Sequence, residues 1–369
     1  MLCPSAILNA LPRTEIAYHI WVAAKKTFEE WQRGPSGGNR HQRAMDQFLF
    51  ELGMAVSKLV TGPHVTFVDP RKHEDTRAMI DHAKRLYKMF KAQGIRPEYI
   101  VFSVPATEAG IIAARELSTK YNLNVNLYLV SSLIHAMACA EAEAAAVSIP
   151  IGQLLDWYER RRNTVHIDLR IHPGIEAIQT ILAYFRFNNI KTKLIGTDFR
   201  KFAEMGILGD FDAVCVSEYQ IDKLRWSTVP TSSGETSPSV LLRAGQAQYP
   251  TNFLTVEGGF IKLLSSESRN LIKDIMDGGL KEIKEKMGKI EAAVVSEVDR
   301  QFKVGTMKLK ELYAVGDTPK AKKTGTPPSL DKVFETRNVA KDSEREELLA
   351  IMECILGTDY RDSDEDEVF

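Results

Sequence analysis

Six short runs of β-branched and aliphatic residues, separated by helical stretches, set the first limit on how this chain can fold. The runs cover 64–68, 99–104, 125–130, 145–149, 192–196 and 213–216. Their spacing of roughly 20–45 residues leaves room for one crossover helix each, as parallel neighbours require. The stretch 76–93 shows what such a helix looks like: Met79, Ile80, Ala83, Leu86, Tyr87 and Phe90 recur at steps of three and four, and Gly94 stops it. This rhythm belongs to a parallel α/β fold. Six strands suit an eight-stranded barrel or a doubly wound sheet equally well, and periodicity does not choose between them.

At 369 residues and 44% hydrophobic composition, the chain can bury one large core or two ordinary ones. Two segments interrupt the rhythm. Residues 227–245 are rich in Ser, Thr, Gly and Pro and read as a long surface loop. A helical run then ends near Phe302, dividing the chain into a unit over 1–302 and a C-terminal region over 303–369. In that region 317–329 reads as a Pro/Thr/Lys linker and 343–356 as a short amphipathic helix. The acidic stretch 359–367 reads as a solvated, disordered tail, with a docking segment for a basic partner as the alternative.

Charge and cysteine usage exclude several function classes. The 48 basic residues against 49 acidic ones leave no global footprint for nucleic acid. The four cysteines are far apart and the eight histidines form no metal-binding spacing, so neither a disulfide framework nor a histidine metal site is expected. No apolar run reaches membrane-spanning length and no signal-peptide grammar opens the chain. A soluble, cytoplasmic protein is the expectation.

Residues 99–107 (YIVFSVPAT), followed by Gly110-Ile111 and Ala113-Ala114, resemble the fourth barrel strand of transaldolases and its following helix. The similarity continues through 124–129 (NVNLYL), 136–142 (AMACAEA), 148–158 (SIPIGQLLDWY), His172-Pro173-Gly174 and 195–200 (IGTDFR). Upstream, 68–71 (VDPR) and Asp75-Thr76 match the third strand and 4–10 (PSAILNA) the end of the second, while 277–293 resembles the last helix. The resemblance spans roughly 3–302 outside the 227–245 loop. It implies a (β/α)8 TIM-type barrel of the transaldolase type, incomplete at the N-terminus, with a C-terminal extension. The first strand and its aspartate have no counterpart, and the second strand's asparagine falls on Cys3. A barrel lacking a strand exposes an edge, which 253–257 (FLTVE) has the composition to cover.

The resemblance also implies a chemistry that this chain's residues do not support. Transaldolases form an imine between a strand-four lysine and a ketose phosphate, then pass a dihydroxyacetone unit to an aldose phosphate. The lysine position holds Ser103, whose hydroxyl cannot make an iminium. The strand-three glutamate, an acid/base acting through water, falls on Phe67, and the strand-five threonine on Tyr128. Asn126 and Ser148 survive. One phosphate arginine is Gln153; the other survives as Arg200, but the serine two residues before it is Asp198. A carboxylate about 4 Å from a phosphate repels it by roughly 4 kcal/mol per charge at an effective dielectric near 20.

Side chains at the C-terminal ends of barrel strands build the site in this fold. Here they give Ser103, Tyr128 and Asp69 as catalytic candidates and Asn126, Ser148, Asp198 and Arg200 as substrate-binding candidates, with Glu218 nearby. Asp69 has a structural alternative as a partner of Arg71. Tyr128 beside Asp198 and Arg200 would be an acid near a cation, or a filler. Lys193 is the core-strand lysine through which an imine route could return. Cys139 and Cys215 read as buried hydrophobes and His135 as packing. The expected partners are a small-molecule substrate, phosphorylated or not, and a second copy in a homodimer; no cofactor, metal, nucleic acid or membrane is expected. Three functions stay open: a repurposed enzyme, a non-catalytic binding protein, and a residual transaldolase.

Overall fold

A computed structural model describes residues 1–33, 39–226, 238–247, 254 and 259–314, with side chains described to 307 except that of Leu263. Each expected run forms a strand: β1 (His64–Phe67), β2 (Ile100–Pro105), β3 (Asn124–Tyr128), β4 (Ala146–Pro150), β5 (Lys193–Thr197) and β6 (Ala213–Val214). The strands are parallel and lie in the order β1-β2-β3-β4-β5-β6. A doubly wound sheet reverses its order at a switch point. This one never does, so it is the wall of a barrel. Among the described residues that wall has six strands, a partial barrel in place of the eight strands of a full (β/α)8 fold.

Helices flank the wall. α1 (Pro4–Ala10), α2 (Thr14–Arg33) and α3 (Arg40–Ser57) precede β1. The crossovers are α4 (Thr76–Ala92), α5 (Glu108–Tyr121), α6 (Leu133–Glu141), the pair α7 (Ile151–Arg162) and α8 (Pro173–Phe187), and α9 (Phe202–Ile207). After β6 come α10 (Glu218–Leu224), α11 (Pro238–Gln246) and the long α12 (Ser266–Ala314). Among the described residues no helix is long and apolar enough to cross a membrane.

The central strands are buried on both faces. Phe102, Val104, Val125, Leu127, Val147 and Ile149 share the face that packs against the helices and are fully buried, while the alternating Ser103, Asn126 and Ser148 are buried on the inner face. α4 supplies Met79, Ala83 and Leu86, likewise fully buried, each large side chain contributing about 1.5–3 kcal/mol. Asp75 caps α4 by accepting the Ala78 N–H at 2.9 Å.

Three local expectations need correction. Residues 4–10 do not end a strand. They form α1, because Pro4 is pre-set for a first helical position and the Cys3 sulfur accepts the Ala6 N–H; the strand-like contact at the chain's start is Leu2, whose N–H donates to the Val65 carbonyl at 2.8 Å. Residues 238–245, read as loop, belong to α11, whose Val240 and Ala244 are buried one turn apart. The helical run near Phe302 continues to Ala314, through strong helix formers that a single Gly305 does not interrupt. The expected linker 317–329, helix 343–356 and acidic stretch 359–367 lie outside the described residues, as does 253–257 apart from Leu254.

Two buried imidazoles give the fold an acid sensitivity. Burial holds both His64 and His135 down to a pKa of about 4. His135 donates from Nε2 to the Ala106 carbonyl at 2.7 Å, whereas neither ring nitrogen of His64 has a hydrogen-bond partner among the described residues. The unfolded chain protonates these rings near pH 6.5 and the folded one resists until about 4. Stability is therefore fully present above 6.5 and declines as pH falls toward 4, by about 3 kcal/mol for each ring. Denaturant titrations at pH 7, 5.5 and 4.5 should show this decline, and His64→Leu should make it shallower. A flat profile in the parent chain would mean that both rings are charged in the fold.

Candidate functional site

Strand register decides which side chains share the inner face. Phe67 pairs with Ser103, Ser103 with Asn126, and Tyr128 with Ser148. Because alternate residues of a strand point the same way, Phe67, Ser103, Asn126, Tyr128 and Ser148 all project into the barrel. They form the floor of a cavity of about 1200 Å³ at the C-terminal ends of the strands.

Three of these residues form one hydrogen-bonded chain. Ser148 Oγ donates to Asn126 Oδ1 at 2.9 Å, and Asn126 Nδ2 donates to Ser103 Oγ at 3.1 Å. All three are buried. The order of donors leaves the Ser103 hydroxyl proton free to donate into the cavity and the Ser148 oxygen free to accept. Phe67, 3% exposed, places an aromatic ring where the resemblance would put a carboxylate.

The other sequence candidates separate into distinct surroundings. Asp69 does not line the cavity. Its carboxylate accepts both Nε and Nη2 of Arg71, at 2.9 and 2.7 Å, and Arg71 reaches on to Glu291 of α12. Despite burial, Arg71 holds the Asp69 carboxyl below its ordinary pKa. Arg200 does not line the cavity either. It is ringed by Asp156, Glu159 and the fully buried Glu204, the last at 2.9 Å. Tyr128 and Asp198 do line the cavity but feel different charges. Burial, then Asp69 and Cys3, push the Tyr128 phenol above its ordinary range. Burial, then Glu282 and Asp156, push the Asp198 carboxyl up, against a hydrogen bond from the Gln153 N–H. The expected grouping of Tyr128, Asp198 and Arg200 is thus not brought together.

Asp198 and Arg200 part company because of the backbone between them. Asp198 adopts a left-handed φ of 57°, uncommon outside glycine but tolerated by Asp. Its carbonyl accepts the Gly152 N–H at 2.8 Å, tying the turn to the first residues of α7. The chain then aims Arg200 outward at the carboxylates of α7. The His172-Pro173-Gly174 motif is structural in the same region: buried His172 caps α8 by accepting the Gly174 N–H at 2.9 Å, and its other nitrogen donates to Glu159 at 3.2 Å.

Lys193 stands at the opposite end of its strand, exposed and paired with Asp212 at 2.8 Å. Cys139 is fully buried and burial raises its pKa, whereas Cys215 lines the cavity. Fully buried His135 stacks on Phe260 at 5.5 Å. Glu218 lines the cavity from the start of α10 and pairs with Arg13 at 2.8 Å.

Sequence reasoning missed the contribution of α12 to the cavity wall. Asp274, Gly279, Glu282 and Lys286 all line it. Trp157 anchors the helix by donating to Asp274 at 2.9 Å, and Lys286 donates to Ser5 at 2.9 Å and pairs with Glu282. At Gly279 the helix presses on the barrel: a Cβ there would lie 2.6 Å from Leu129, which itself sits at a left-handed φ of 66°. The Gly278-Gly279 pair inside an amphipathic run was the available signal for such an approach.

Comparison with known proteins agrees with this architecture. Residues 7–252 match the model of the family described as transaldolase/fructose-6-phosphate aldolase. The transaldolase of Saccharomyces cerevisiae is 33% identical over 227 residues, covering 62% of this chain and 67% of that protein. The transaldolases of Gibberella intermedia and Protochlamydia amoebophila are 32% and 31% identical, and the matches cover 69% and 67% of those proteins. With the parallel wall, the cavity at its strand ends and a match over most of the chain, this protein belongs to the transaldolase/fructose-6-phosphate aldolase family.

Proposed function

We propose that this chain keeps the small-molecule site of its family but has left imine chemistry behind, binding a polyhydroxylated ligand through hydroxyl and amide groups. One observation carries the reading: the residue on the cavity floor at the position of the family's amine is Ser103, hydrogen-bonded to Asn126. Among the described residues the one lysine lining the cavity is Lys286. Its Nζ is engaged by Glu282 and Ser5, so attack on a carbonyl would first have to break those contacts. The floor suits hydroxyls because it offers a donor at Ser103 and an acceptor at Ser148.

A second reading adds chemistry at Asp198. It faces the cavity, and burial raises its pKa, the direction that lets a carboxyl hold a proton for transfer to a ligand. The free thiols Cys3, Cys139 and Cys215 support a reducing compartment such as the cytoplasm.

Intact-mass spectrometry after borohydride reduction in the presence of fructose 6-phosphate tests the reading. The expected result is an unmodified chain. A stoichiometric adduct mapping to Lys286 would overturn it and restore an aldolase route.

A further inference from the structure

The charges around the cavity are the reverse of what a phosphorylated ligand needs. Its described lining carries three cationic side chains, Arg13, Arg160 and Lys286, against five carboxylates. Arg13 is bound to Glu218 through two contacts of 2.8 Å, and Lys286 to Glu282. Arg200, the arginine that survives from the family's phosphate site, is surrounded by Asp156, Glu159 and Glu204. Gln153 stands where a second would be and lines the cavity as a neutral amide. A phosphate on Arg13, Lys286 or Arg200 would have to displace carboxylates already paired with them. Arg160, which donates to the Asp156 carbonyl at 3.2 Å, is the one lining cation without a carboxylate partner among the described residues.

Asp198 is the complementary feature. It lines the cavity and forms no ion pair with any cation among the described residues. The charges that act on it most, Glu282, Asp156 and Glu204, are all negative. A positive group there would relieve that repulsion and gain a charge-assisted hydrogen bond.

Position adds reach. β4 pairs with β5 so that Pro150 is opposite Thr197, which puts Ser148 one strand across and three residues back from Asp198. By strand geometry this is roughly 10 Å, a span that an extended six-carbon chain bridges with a hydrogen bond at each end.

We propose that the site is selective for a cationic polyol, an open-chain amino-polyol with its hydroxyls on Ser103, Asn126 and Ser148 and its ammonium at Asp198. This rests on the reading that the cavity is a polyol site without imine chemistry, and adds the sign of charge that it selects.

Three ligands that share one carbon skeleton separate the two claims: sorbitol, its 1-amino-1-deoxy analogue glucamine, and sorbitol 6-phosphate, each titrated calorimetrically into the full chain. Glucamine should bind about tenfold more tightly than sorbitol at low salt, with the phosphate weakest. That advantage should shrink toward 1 M salt, where the Debye length falls to about 3 Å. In Asp198→Asn the ratio of glucamine to sorbitol affinity should fall to near one; Asn tolerates the left-handed backbone, so the variant should fold. If all three bind with the phosphate tightest, the charge inference is wrong while the polyol reading stands. If none binds, the polyol reading fails and takes the inference with it. An amine preference that survives Asp198→Asn would overturn the assignment to that carboxylate.

Discussion

The Ser103→Lys variant should gain an amine that reduces onto a ketose phosphate, yet should not gain transaldolase turnover. A lysine at this floor position, 5% exposed in the parent, would lose solvation, and burial lowers an ammonium pKa toward the range where it attacks carbonyls. Borohydride should therefore trap an adduct on residue 103 that the parent lacks. Turnover needs more. Phe67 offers no proton where the family's acid/base would stand, a loss worth about 10²–10⁴ in rate. Missing a charge-assisted contact to phosphate removes about 1.5–3 kcal/mol, a further ten- to hundredfold, because Gln153 is neutral and Arg200 is held by three carboxylates. Together these should leave the variant roughly 10⁴-fold or more below the Saccharomyces cerevisiae relative in a coupled assay. Adding Phe67→Glu and Gln153→Arg should recover turnover by about 10² or more. Turnover from Ser103→Lys alone, within tenfold of the triple variant, would show that these positions matter less than their geometry implies.

The fold was legible where local pattern and burial agree. The helix-facing side of β2, β3 and β4 must be apolar, so its β-branched and aliphatic residues announce these strands, and strand parity then places Ser103, Asn126 and Ser148 on the other face. Legibility failed where a tertiary contact decides the outcome. Asp198 and Arg200 are two residues apart, and only the left-handed turn between β5 and α9 sends one into the cavity and the other toward α7. Asp156 and Glu159 share a face of α7, yet nothing in the sequence says that their cation comes from forty residues away. The α11 segment misled because its Pro and Ser mark a helix start as well as a loop, and the buried spacing of Val240 and Ala244 is only one turn long. The role of α12 in closing the cavity depends on Trp157 reaching it from α7 and Arg71 from the turn after β1, both distant in sequence.

Gly110→Ala should be strongly destabilising, because among the described glycines its added methyl group meets backbone at the shortest distance. Gly110 lies in the first turn of α5, where its N–H donates to the capping hydroxyl of Thr107 at 3.0 Å. A Cβ on Gly110 would sit 1.9 Å from the backbone oxygen of Pro105 and 3.1 Å from its carbonyl carbon. Backbone cannot rotate away as a flexible side chain can, so either the start of α5 or the end of β2 must move. Both moves reach the cavity. Pro105 pairs with Tyr128, the Ala106 N–H donates to the Tyr128 carbonyl at 2.9 Å, and the Ala106 carbonyl accepts His135 at 2.7 Å. Overpacking a close approach usually costs about 1–3 kcal/mol, and a clash with fixed backbone belongs at the upper end or beyond, so about 3–5 kcal/mol is expected. For a unit of this size that lowers the melting temperature by about 10 °C. Gly278→Ala is the internal control. It adds the same methyl group to α12, where a Cβ meets nothing within 4 Å, and a helical Gly→Ala exchange there should stabilise by roughly 0.5–1 kcal/mol. Differential scanning fluorimetry of the two variants beside the parent gives the comparison. If Gly110→Ala melts within 2–3 °C of the parent, about the effect of a single kcal/mol in a domain this large, the α5–β2 junction is looser than its geometry and the floor of the cavity does not depend on it.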